Sequence, residues 1–114
     1  MKRLRFLIRA LGRRLLRRPP LFSTTYVEDL PDAVAGGQLY VVGEGGYTWC
    51  AAMVCPCSCG ETLQMSLLLE GRPRWTFEEQ SDGTPTLHPS VWRQVGCRSH
   101  FFLRKGVVIW CHAV

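Results

Sequence analysis

No stretch of these 114 residues is apolar for long enough to cross a bilayer. None forms an unbroken signal-peptide core either, because arginines interrupt each apolar run near the start. Arg13-Arg14-Leu15-Leu16 has the arginine pair of an export signal, but Arg17-Arg18-Pro19-Pro20 stands where an apolar run should follow. These absences favour a cytoplasmic location. Acidic residues are missing from residues 1–20, which carry eight Lys and Arg. Setting that +8 against the net +5 leaves −3 for residues 21–114, so attraction to anions belongs to the first segment alone. Internal repeats are absent. So is His-Glu-x-x-His, which excludes the zinc metalloprotease that this motif marks. A zinc deaminase needs His-x-Glu and Pro-Cys-x-x-Cys, and the chain has Pro56-Cys57-Ser58-Cys59 instead.

Cysteine is plentiful by contrast, with six in the chain. Cys55, Cys57 and Cys59 fall within five residues, followed by Gly60, and Cys97-Arg98-Ser99-His100 answers them later. Thiols so close in sequence rarely meet the geometry of a disulfide with one another. They can converge on a soft metal ion, and Cys-x-x-His can complete a closed tetrahedral set. Cys57, Cys59, Cys97 and His100 are the expected ligands, with Cys55 in reserve, and Gly60 permits the positive φ that such turns require. Cys50 and Cys111 individually suit ordinary buried thiols. Zn²⁺ is the expected metal, with a 2Fe–2S cluster as the alternative. A closed four-ligand site has no open position for water, so the site sets a fold and does not itself supply a reaction. A cysteine nucleophile, Cys111 or a free Cys55, is the enzymatic alternative, although neighbours such as Cys111 and His112 point to opposite faces of a strand.

The pattern falls into two units. Leu4, Leu7, Ile8, Leu11 and Leu15 make one apolar stripe, so residues 1–20 read as a basic amphipathic helix, ended by Pro19-Pro20, or as a poorly ordered basic tail. Such a helix can meet anionic membrane or nucleic acid. Residues 21–114 read as β-rich, with strands at Tyr26-Val27, Leu39–Val42, Tyr47–Val54, Thr62–Leu67, Trp75–Phe77, Thr84–Leu87, Phe101–Leu103 and Val107–Trp110. Ser81-Asp82-Gly83 and Arg104-Lys105-Gly106 supply hairpin turns. Short strands with frequent turns predict an all-β sandwich or small open barrel.

Two resemblances add to this reading. Cys97-x-x-His100, running into Phe101-Phe102-Leu103 and Gly106, resembles the second ligand loop of Rieske proteins, although the first loop has Cys-x-Cys where a Rieske protein has Cys-x-His. That resemblance implies a Rieske-like fold holding zinc. Val27–Asp32, Gly37–Val41, Cys55–Glu61, Leu87-His88-Pro89-Ser90-Val91, Cys97–Phe102 and Gly106–Trp110 together resemble the bacterial domain-of-unknown-function family 6527. Members of that family are encoded beside ubiquitin-like proteins and ThiF-type activating enzymes. The resemblance implies an accessory or adaptor protein with a structural zinc, serving a bacterial ubiquitin-like conjugation system. Its expected partners are a ubiquitin-like protein or its activating enzyme. A Rieske-like redox protein and a cysteine-dependent conjugation enzyme are the alternatives.

Overall fold

The computed structural model describes residues 21–111. Nine strands account for all its regular secondary structure: β1 (Ser23–Val27), β2 (Gln38–Glu44), β3 (Tyr47–Val54), β4 (Thr62–Ser66), β5 (Thr76–Glu79), β6 (Pro85–His88), β7 (Val91–Trp92), β8 (His100–Arg104) and β9 (Val107–Trp110). They form three sheets, ordered β1-β2-β3-β4, β5-β6 and β7-β8-β9. The first pair is parallel and all other pairs are antiparallel.

This corrects the expected architecture. The single Rieske-like sandwich or open barrel is replaced by three separate sheets, none closed. Strand pairing holds the strands in groups of four, two and three, and no pairing among the described residues joins one group to the next. The helix expected over residues 1–20 lies outside the described residues, and no helix occurs within them.

The core is built from strands that bury one face or both. Leu39, Tyr40, Val41 and Val42 are all buried, so β2, a central strand, is covered on both faces over this stretch. Edge strand β4 instead alternates, burying Leu63 and Met65 and exposing Thr62 and Gln64. Leu87, Val91, Phe101 and Leu103 join the same core from the other two sheets. No described helix is long and apolar enough to cross a membrane.

Turns bind the sheets together. Gly45 and Gly46 turn β2 into β3 at φ of 61° and 82°, the left-handed pair that favours a tight hairpin. The β8–β9 turn donates the Gly106 N–H to the Pro85 carbonyl at 2.8 Å and accepts the Phe22 N–H on the Gly106 carbonyl at 2.8 Å. That one turn therefore touches both other sheets. Lys105 adds a backbone bond to Thr86 Oγ1 at 2.9 Å. The result holds β6 against β8, which matters for the segment between β6 and β7.

Candidate functional site

Two clusters of reactive side chains draw on the segments around β7 and β8. The first gathers Cys55, Cys57, Cys59 and Cys97, whose Sγ atoms all lie within 4.8 Å of one another. Cys55 Sγ is 3.4 Å from Cys57 Sγ and 3.6 Å from Cys97 Sγ. Four thiolates at the Zn–S distance of about 2.3 Å around one tetrahedral ion stand about 3.8 Å apart, so the set fits a single ion. The local backbone explains the convergence. Ser58 and Arg98, each directly after a cysteine, have φ of 70° and 54°, and Gly60 has φ of 85°. These left-handed residues fold both loops back on themselves.

The cluster has an uneven electrostatic setting. Cys55 is buried, and desolvation pushes its thiol up to about 12. Cys97 is brought down to about 5, chiefly by the Ser99 hydroxyl at 3.1 Å. Cys57 is also lowered, again with Ser99 as the largest cause. Arg93 adds positive charge, with Nη1 3.4 Å from Cys97 Sγ and 3.8 Å from Cys59 Sγ. Buried Ser99 and Arg93 thus favour thiolate character in a set that would carry negative charge around a cation.

The structure does not bring His100 into this group. Its Nε2 lies 2.8 Å from Ser90 Oγ instead. Ser90 follows β6 and Pro89 and stands immediately before β7, while His100 opens β8. β7 pairs with β8 so that Trp92 lies opposite His100. The indole stacks on the imidazole at 4.8 Å between centroids and 11° between planes. Trp75 Nε1 donates to the Ser90 carbonyl at 3.2 Å, fixing the backbone that carries the hydroxyl. Both Ser90 and His100 are half-buried.

Sequence reasoning missed Ser90 altogether. Its only signal was Leu87-His88-Pro89-Ser90-Val91, a stretch that carried a family resemblance and no chemistry of its own. A hydroxyl whose proton can pass to an imidazole nitrogen at hydrogen-bond distance is the starting arrangement for nucleophilic catalysis. Cys50 is half-buried with its thiol raised by desolvation, and Cys111 is half-buried; neither joins the cluster. His88 is exposed.

Comparison with known proteins bears on both clusters. A family model described as "Bacterial ubiquitination-like system serine protease (BubE)" matches residues 26–111. That span contains all four clustered cysteines together with Ser90 and His100. No curated protein and no solved structure matches the chain. Membership of a ubiquitination-like system brings protein partners with it. With the matched span covering most of its length, the chain belongs to the BubE family of bacterial ubiquitination-like systems.

Proposed function

We propose that this protein is a serine-dependent peptidase of its ubiquitination-like system, with Ser90 as nucleophile, His100 as general base and a structural zinc held apart from the chemistry. The observation that carries the reading is the 2.8 Å contact between Ser90 Oγ and His100 Nε2. The family description, which includes a serine protease, agrees with it.

In the first half-reaction Ser90 Oγ attacks the scissile carbonyl carbon as its proton passes to His100 Nε2. The tetrahedral adduct collapses, the C–N bond breaks, and His100 returns the proton to the departing amine. Water then attacks the Ser90 ester, giving its proton to His100. The acid is released, and Ser90 recovers its proton from the imidazolium. Trp92 holds the ring against rotation, and its π face attracts the positive charge that the ring gains in each half-reaction.

Cys55, Cys57, Cys59 and Cys97 would hold the zinc, which supplies cross-linking of two loops and no open coordination position. Four thiols gathered around one point suit a single ion, whereas a two-iron cluster spreads its thiolates over two centres. In this reading residues 21–114 are the catalytic and metal-binding unit, and residues 1–20 are a separate basic segment.

The test is hydrolysis by the purified full chain of peptide-linked conjugates from its own system. Ser90→Ala and His100→Gln should each abolish turnover while leaving the melting temperature within a few degrees. Turnover that survives Ser90→Ala would refute Ser90 as the nucleophile, and no turnover by the wild type would return the protein to a non-catalytic adaptor role.

A further inference from the structure

Two strand edges beside Ser90 carry backbone groups without a backbone partner among the described residues. In an antiparallel pair, alternate residues turn both their N–H and C=O toward the neighbouring strand, and the residues between turn both away. The phase along β4 follows from its ends. The Glu61 carbonyl accepts from Cys55 N, and Leu67 N donates to the Trp49 carbonyl. Odd-numbered residues from 61 to 67 therefore face β3, and Thr62, Gln64 and Ser66 face outward.

The same reasoning sets β7. Arg93 N donates to the Ser99 carbonyl at 2.9 Å, so Arg93 faces β8, while Trp92 and Ser90 turn their backbone groups away from it. Residues of β4 and β7 line one cleft of about 260 Å³, with Trp75 also in its lining. Trp75 already sits between the two edges at its own level. Its backbone N–H meets the Ser66 carbonyl at 2.8 Å, and its indole N–H meets the Ser90 carbonyl at 3.2 Å. One step along, at Gln64 and Trp92, no backbone of the described residues fills the gap.

We propose that an extended segment of the substrate polypeptide enters this cleft as an added strand, pairing with the outward edges of β4 and β7. This rests on Ser90 being the nucleophile, and it names the class of substrate that Ser90 acts on. Main-chain pairing supplies affinity with little regard for side chains, as in other strand-addition complexes. Bonded on both edges, the segment would join the four-stranded and three-stranded sheets through its own backbone and run toward Ser90, whose neighbour Val91 lines the cleft. A helix or folded surface cannot offer free N–H and C=O groups to both edges at once. The substrate site is therefore an extended tail or linker. The larger cavity, about 360 Å³ between Gly36-Gly37 and Trp110, is lined by Cys55 and Ser58 but by no histidine that could serve either as a base.

The test uses ¹⁵N-labelled full-length Ser90→Ala protein and a pool of random, end-blocked decapeptides. Exchange of the Thr62, Gln64 and Trp92 amide protons should slow about tenfold with the pool, as new strand bonds protect them. A pool of the same composition with every backbone nitrogen methylated should give no slowing. Protection elsewhere, no protection, or equal protection by the methylated pool would overturn the cleft. The readout involves no chemistry at Ser90. A wild-type protein that fails to react with a small fluorophosphonate would refute the nucleophile and leave the amide result to stand by itself.

Discussion

Trp92 lies flat on His100, ring over ring at 4.8 Å, although the tryptophan is 58 % exposed and adds little to the core. Cross-strand pairing puts the two residues opposite each other, and the stack converts that pairing into a fixed ring orientation toward Ser90. Trp92→Ala should therefore slow phosphonylation of Ser90 by about ten- to a hundredfold, the scale on which misplaced catalytic groups lose rate. Stability should fall by no more than about 1 kcal/mol, as for most exposed positions. Trp92→Phe should restore most of the rate, because a flat ring is retained.

The metal set separates by substitution. His100→Gln should keep about one zinc per chain, and Cys55→Ser and Cys97→Ser should lose it, as four thiolates complete a tetrahedral site. Cys50→Ser and Cys111→Ser should have no effect on metal content. Loss of metal should lower the melting temperature, because binding is coupled to the fold of the two loops. Atomic emission on purified protein reads the zinc directly, and colourless protein is expected from a d¹⁰ ion.

Much of the strand order is legible in the chain, and the reasons are local. Leu39–Val42 and Tyr47–Val54 are apolar and β-branched around a glycine turn, and they become β2 and β3. Ser81-Asp82-Gly83 turns β5 into β6 because the Asp82 carboxylate accepts from Thr84 N at 3.0 Å and Gly83 has φ of 87°. β7 was not legible, being two residues long and defined by its partner. The division of labour between Cys97 and His100 was hidden for a physical reason. Spacing suggests that both face one ion, but His100 begins a strand, and consecutive residues there point to opposite faces. Ser99 turns inward to the thiols, with its Oγ 3.1 Å from Cys97 Sγ, and His100 turns away to Ser90.

Gly43 should be intolerant of any side chain. A Cβ there would lie 2.2 Å from the Tyr47 carbonyl oxygen and 2.8 Å from Thr48 Cα, both backbone atoms. The pairing of β2 with β3 shifts register at this point, which explains the close approach. Gly43→Ala should cost about 3 kcal/mol by forced displacement of the hairpin. Gly36→Ala, which meets nothing within 4 Å, is the control and should leave denaturant stability unchanged or slightly raised.

Tyr26 makes a pH signature. Its phenol donates to Glu79, and that bond, aided by burial and by the carboxylate charge, pushes the phenol from 10.0 up to about 12. The folded state thus holds the proton more tightly than the unfolded chain. The contribution is complete below pH 10.0 and is lost as pH rises from there through about 12. The pair is exposed, so the effect is small. Melting temperatures between pH 9 and 12 should fall more steeply for the wild type than for Tyr26→Phe.

Mass spectrometry of the full-length protein after reaction with a small fluorophosphonate tests the central claim most directly. The account predicts one adduct per chain, mapped to Ser90, formed much more slowly by His100→Gln and not at all by Ser90→Ala. An unlabelled Ser90, or labelling unchanged in His100→Gln, would contradict it.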